Sequence, residues 1–175
     1  RAAPTVDGGR VFVITIDNRL LAIDTETGKT RWSFQAPPAT AALLGGASPA
    51  AGQGAVVAAT TSGEIVAFRA ANGRITWDDA LTAVRRLGVA QAIPAVRASP
   101  VIADGEVIAI GAAGLAAGID FATGSRIWDR AIGGNETPAV AGAFLYMITD
   151  QPNLAALRRS DGAIAWTIDL NAAAG

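Results

Sequence analysis

The sequence predicts an all-β protein, a β-propeller of four-stranded antiparallel blades tied by tryptophan-docking motifs, with four blades present. Three observations carry this expectation. An eleven-residue frame from Ala22 to Trp32 recurs from Ala67 to Trp77, from Gly118 to Trp128 and from Ala156 to Trp166. Within each copy a glycine (Gly28, Gly73, Gly124, Gly162) stands four residues before the tryptophan, and a proline (Pro4, Pro49, Pro100, Pro138) stands twenty-eight before it. All 4 tryptophans of the chain fall on this one position. A fixed internal frame with variable gaps is the mark of a repeat architecture, and prolines 45, 51 and 38 residues apart suit propeller blades.

The first unit justifies the strand count. After Pro4-Thr-Val and a turn at Asp7-Gly-Gly9, Val11 to Ile16 is rich in β-branched residues and bounded by turn residues, as strands are. Asp17-Asn18 turns the chain into Leu20-Leu-Ala-Ile23, a tight loop from Asp24 to Gly28 follows, and Thr30 to Phe34 places Trp32 and Phe34 on one face by the period of two. The second unit repeats this through Val56 to Thr60, Ile65 to Phe68 and Ile75-Thr-Trp77; the third through Val107 to Ile110, Leu115 to Ile119 and Ile127-Trp128; the fourth through Leu145 to Ile148, Leu154 to Leu157 and Ile164 to Ile168. One propeller fragment is expected over 1–175, with repeats at about 3–35, 48–78, 99–130 and 137–170. The pairs Thr-Gly, Asn-Gly, Thr-Gly and Asp-Gly ahead of each tryptophan strand fit a hairpin loop in which glycine takes positive φ. Asp24 and Asp120 can brace that loop, whereas Arg69 and Arg158 stand in the same place in units two and four.

Composition narrows the function. An apolar share of 51% against 17% charged residues supplies a core, and the absence of both cysteine and histidine removes disulfides, thiolate chemistry, the usual general base and the commonest metal ligand. A net charge of −1 offers no field for holding phosphates. The longest apolar run, Val107 to Ile119, is thirteen residues broken by glycines and too short to span a bilayer. The chain opens within one repeat and stops just after another, and is expected to be an excerpt of a longer protein.

An indole buries on the order of 200 Å², worth up to ~5 kcal/mol, so Trp32, Trp77, Trp128 and Trp166 are expected to be buried, each on the last strand of its blade against the next. The small residue opening each frame leaves room for the ring. Trp77-Asp78 and Trp128-Asp129 invite a WD40 reading, which Trp32-Ser33, Trp166-Thr167 and the lack of any histidine do not sustain. The glycines from Gly111 to Gly118 lack the spacing of a phosphate cradle and are expected to serve close packing in blade three. Glu64, Asp104, Glu106 and Glu136 are expected as solvated turn residues.

The frame Ala-x-Asp-x-x-Thr-Gly-x-x-x-Trp resembles the tryptophan-docking motif of the pyrroloquinoline-quinone-type repeat family, whose members form eight-bladed propellers. The stretches Ser62 to Trp77, Asp79 to Arg86 and Arg126 to Gly134 further resemble the family's periplasmic lipoprotein scaffolds, which assist assembly of β-barrel proteins into the outer membrane. That resemblance implies a non-enzymatic protein with no cofactor, attached in the parent to the inner face of the outer membrane, and a protein partner, the POTRA domains of the barrel-forming subunit. The alternative is a fragment of a quinoprotein dehydrogenase or a propeller ligand sensor. Against the enzyme, the family's adjacent cysteine pair cannot exist here and no Asp, Glu and Asn cluster suggests a calcium cage.

Loops over a rigid scaffold carry contacts, which directs attention to the two long connectors, Gln35 to Ser48 and Asp78 to Ser99. The candidate partner-binding residues are Leu43, Leu44 and Gly46 in the first, and Arg85, Arg86 and Arg97 in the second. Arginine is enriched at interface hot spots, and these three have no acid between Asp79 and Ser99 to neutralise them. The resemblance implies a Leu-x-Leu-Arg-Gly stretch before the second repeat; Leu44 and Gly46 keep it and the arginine is missing. Four blades also leave two blade faces without neighbours, implying either further blades in the parent or self-association.

Overall fold

The computed structural model describes residues 2–36, 46–60, 62–81, 96–111 and 114–173. Leu43, Leu44, Arg85 and Arg86 lie outside them.

Among the described residues, sixteen strands form four antiparallel sheets, each a simple meander in chain order. Blade one holds β1 (Thr5–Asp7), β2 (Arg10–Ile14), β3 (Arg19–Asp24) and β4 (Thr30–Gln35); blade two holds β5 (Ala50–Gly52), β6 (Ala55–Ala59), β7 (Glu64–Arg69) and β8 (Ile75–Ala80). Blade three comprises β9 (Val101–Ala103), β10 (Glu106–Gly111), β11 (Leu115–Asp120) and β12 (Arg126–Arg130). Blade four comprises β13 (Ala139–Ala141), β14 (Phe144–Ile148), β15 (Asn153–Arg158) and β16 (Ile164–Asp169), followed by one helical turn, α1 (Leu170–Ala173). The short first strands adjoin one another, β1 beside β5 and β5 beside β9, and so mark the inner side of the ring.

Because successive side chains of a strand point to opposite faces, each middle blade contributes to two cores. Phe12, Leu20 and Ala22 of blade one pack on Val56, Val66 and Phe68 of blade two. The other face of blade two, Val57, Ile65 and Trp77, packs on Val107, Ala109 and Ile119 of blade three. Ile108, Ile110 and Trp128 then meet Leu145, Met147 and Leu157 of blade four. β10 is buried along its whole length, as a strand covered on both faces should be.

In every blade the small residue that opens the frame lies directly across from the tryptophan: Ala22 and Trp32, Ala67 and Trp77, Gly118 and Trp128, Ala156 and Trp166. At all four places the register shifts by one residue just before the tryptophan, a β-bulge that twists the outer strand. The room for the ring is real, since a Cβ added to Gly118 would run into the Trp128 indole.

Candidate partner-binding site

The indoles set the blade-to-blade geometry on which any surface depends. Trp32 Nε1 donates to the Ala70 carbonyl at 2.9 Å, Trp77 Nε1 to Phe121 at 2.8 Å and Trp128 Nε1 to Arg159 at 2.6 Å, each acceptor lying in the following blade three residues before its frame glycine. That glycine forms the floor beneath the ring. A Cβ on Gly73 would come within 2.6 Å of Trp32, one on Gly124 within 2.6 Å of Trp77, and one on Gly162 would collide with Trp128. Trp77 and Trp128 are buried and Trp32 is half-buried. Trp166 departs from the expectation of burial: it is 42% exposed, because no blade follows β16 among the described residues; its ring lies 5.9 Å from that of Tyr146 between centroids.

Charged groups reinforce the same joins. Arg126 of blade three reaches back to both carboxylate oxygens of Asp79 in blade two, at 2.8 and 3.0 Å. Arg159 of blade four pairs with Asp104 at 2.9 Å and Glu106 at 3.1 Å in blade three. These partners, Asp79 and Asp104 first, hold both guanidiniums above their ordinary pKa. Glu106 also accepts the Trp128 Nε1 proton at 3.1 Å and is buried, which corrects its expected place as a solvated turn residue: a carboxylate can be enclosed when a cation and an indole N–H satisfy it. Its pattern was visible only as an acid opening a strand, and its partner lies 53 residues away.

The frame loops are braced by aspartate where they have one. Asp24 Oδ1 accepts from the Thr27 amide and hydroxyl at 2.8 and 2.7 Å, and Asp120 Oδ1 accepts from Thr123 in the same way. Both carboxyls are held below the usual range, Asp24 chiefly by Arg31 and Asp120 chiefly by the Thr123 hydroxyl. With Asp79, Asp104 and Glu106 engaged between blades, these carboxylates do not fit a calcium and quinone site, and among the described residues no three His, Cys, Asp or Glu gather where a cation could sit.

A set of hydroxyls not anticipated from the sequence ties the inner ends of the blades. The residue before the proline in each of blades one to three donates a bond to the following blade: Ala3 N to Ser48 Oγ at 2.7 Å, Ser48 N to Ser99 Oγ at 2.9 Å and Ser99 N to Thr137 Oγ1 at 3.1 Å. The available signal was the recurrence of Ser-Pro, Ser-Pro and Thr-Pro at one frame position.

This rung locates the connectors. Each leaves an outer strand beside the β2–β3 type turn of its own blade, where Ala36 N donates to Asn18 O and Leu81 N to Gly63 O, and each re-enters at an inner strand. The connectors therefore share one rim of the ring with those turns, and the frame loops occupy the opposite rim. Buried residues pin both ends: Ala36 and Ala47 for the first connector, Leu81 and Val96 for the second. Gly46 and Arg97 stand two residues before the bonded Ser48 and Ser99, at equivalent places in adjacent blades. Gly46 is half-buried; Arg97 is exposed and has no ion-pair partner among the described residues. Thus two of the six candidate residues are placed on one rim, and Leu43, Leu44, Arg85 and Arg86 lie outside the described residues. The third connector is closely packed instead, with Gly133 against the Asp150 carboxylate and Gly134 against the Ile148 carbonyl, beside an open hollow of about 390 Å³ lined by Ile132, Thr149 and Gln151.

The fold is shared with known proteins. The chain superposes on BamB from Moraxella catarrhalis with a TM-score of 0.82 at 20% identity, covering 94% of this chain and 50% of that one. A quinohemoprotein alcohol dehydrogenase from Comamonas testosteroni gives 0.79 at 16% identity, covering 96% and 34%; both likenesses speak to the fold alone. In sequence, the outer membrane protein assembly factor BamB of Vibrio cholerae is 30% identical over 85% of this chain and 39% of its own length, and that of Yersinia pestis 24% identical over 94% and 42%. The chain thus spans about two fifths of the curated relatives it matches. A family model described as outer membrane protein assembly factor BamB matches residues 1–168, nearly the whole chain, and the chain belongs to that family.

Proposed function

We propose that this chain is the blade-one to blade-four part of a non-enzymatic periplasmic scaffold that assists assembly and insertion of β-barrel proteins into the outer membrane through protein contacts. The observation that carries the reading is the match of the assembly-factor family model over residues 1–168. The partner is a POTRA domain of the barrel-forming subunit. It binds the connector rim through Leu43 and Leu44 as apolar contacts and Arg85, Arg86 and Arg97 as charged ones, with Gly46 beside them on the first connector. The shared rim of Gly46 and Arg97 supports this, as does the exposure of Arg97. Interface arginines and apolar anchors are the groups whose loss costs most.

Titration of the chain against isolated POTRA domains tests it. Leu44→Ala with Arg86→Glu should weaken binding by roughly 2 kcal/mol or more, the loss of a hot spot, with the melting temperature unchanged, while Glu136→Ala on the third connector should bind as wild type. Equal affinity of the double variant and wild type contradicts the proposed interface.

A further inference from the structure

The frame loop of blade two differs from its counterparts in the residue that precedes its glycine. Asn72 stands before Gly73, where the other loops carry Thr27, Thr123 and Asp161, and of the chain's five asparagines it alone is followed by glycine. Its carboxamide oxygen accepts from Arg74 N at 3.1 Å, whereas its Nδ2 has no hydrogen-bond partner among the described residues. The brace found in blades one and three is missing. There Asp24 and Asp120 hold the amides of Thr27 and Thr123 at 2.8 Å; here Arg69 fills their place, and the Asn72 amide reaches only the Arg69 carbonyl, at 3.3 Å. Arg69, Ala71, Asn72 and Arg74 are all exposed. The Gly73 amide is held by Arg69 O at 2.9 Å, a bond that local opening of so exposed a loop releases. Having no side chain, Gly73 then presents its nitrogen to the neighbouring carboxamide without steric hindrance.

We propose that Asn72 is a site of spontaneous covalent modification, and that its two products act oppositely on the join between blades one and two. The Gly73 amide, its proton taken by hydroxide, bonds to Asn72 Cγ as the Cγ–Nδ2 bond breaks; the leaving nitrogen takes up a proton from water and departs as ammonia, closing a succinimide ring. The attack is intramolecular, which supplies the proximity that a free amide lacks. Water then adds to either ring carbonyl and opens the ring to aspartate or to isoaspartate. Aspartate suits the fold. Blade four already has Arg158, Asp161 and Gly162 at the places of Arg69, Asn72 and Gly73, with Arg158 Nη2 on one Asp161 oxygen at 2.8 Å and Ala163 N on the other at 3.0 Å. Isoaspartate does not, because it carries the main chain through the side-chain carbon and lengthens it by a methylene immediately before Gly73. That glycine is the floor of the Trp32 ring, where even a Cβ would come within 2.6 Å, and the Ala70 carbonyl that accepts the indole proton belongs to the same loop. The inference stands on loop geometry and is independent of the POTRA reading.

Incubation of the folded chain at mildly alkaline pH, followed by peptide mapping in a mass spectrometer, tests the modification. Asn72 should convert while Asn18, Asn135, Asn153 and Asn171 remain, and fragmentation that separates the isomers should find isoaspartate and aspartate together. Indole N–H exchange and thermal unfolding of the isoaspartate-bearing fraction test the consequence. Trp32 should lose slow exchange while Trp77 and Trp128 keep it, and the melting temperature should fall; the Asn72→Asp variant should keep all three slow and melt as wild type. An Asn72 that stays intact in the folded chain while it converts in urea, faster conversion at another asparagine, an isoaspartate-bearing fraction with Trp32 still protected, or an Asn72→Asp variant that has lost that protection each overturns the proposal.

Discussion

At Gly124 two requirements coincide. The loop needs a residue at φ +74°, and the Trp77 ring lies where any Cβ would go. Gly54 has the first requirement without the second, with φ +79° and nothing within 4 Å. Gly54→Ala should therefore cost roughly 1–2 kcal/mol of backbone strain, and Gly124→Ala about 2–4 kcal/mol, because overpacking adds to it; denaturant unfolding of the two variants separates the contributions, and equal losses would contradict the close contact. The braced carboxylates give a second expectation at this scale. Asp24, Asp120 and Asp161 are depressed in the fold, by Arg31, by the Thr123 hydroxyl and by the Ala163 amide respectively. At pH values below the unfolded carboxylate value of about 4 the unfolded chain binds more protons than the folded one. Their contribution is thus complete above that pH and is lost as pH falls through the folded values. Melting temperature followed from neutral to acid pH should drop in that window, and Asp120→Asn should flatten part of the drop.

Between elements, the joins combine one indole, one glycine floor and, at two of them, a charged pair. These pairs differ in burial. Glu106 is enclosed by Arg159 and Trp128, whereas Asp79 and Arg126 keep 18% and 30% of their side chains exposed. Glu106→Ala leaves the nearly enclosed Arg159 Nε–H short of an acceptor, while the Trp128 N–H keeps the Arg159 carbonyl, and should cost about 3 kcal/mol, while Asp79→Ala should cost below about 1 kcal/mol; thermal unfolding of both variants checks the order. The strands, the frame glycines and the loop aspartates were legible in the sequence because each depends on residues within a few positions of one another. Glu106 was not, since its partner Arg159 comes from the next blade. The bulge before each tryptophan was equally hidden, because residues as different as Arg31, Thr76, Ile127 and Ala165 occupy it: a bulge of this kind is set by the register on either side and not by the side chain it displaces.

Across the described residues, the blades follow one another through three one-way joins of one kind, blades one to three each giving an indole to the next. That direction explains why burial fades at both ends of the described series: among the described residues no indole covers Gly28 and no glycine loop meets Trp166. Sequence periodicity announced the blades but treated the four tryptophans as equivalent, and position within a series is not a local property. The candidate surface was legible to the extent that connector length marks it. Gly46 and Arg97 fall on the same rim because the meander returns each connector to the side of the β2–β3 turns. What the sequence did not reveal was the hydroxyl rung that fixes these two positions relative to each other, since it passes between residues 45, 51 and 38 apart.

The central claim is the one-way indole join, and indole N–H hydrogen exchange measures it most directly. In the 175-residue chain the Nε1 protons of Trp32, Trp77 and Trp128 should exchange slowly, being bonded to Ala70, Phe121 and Arg159 of the following blades, while that of Trp166, 42% exposed, should exchange faster. Fast exchange at any of the first three, or protection of Trp166 equal to theirs, would contradict it.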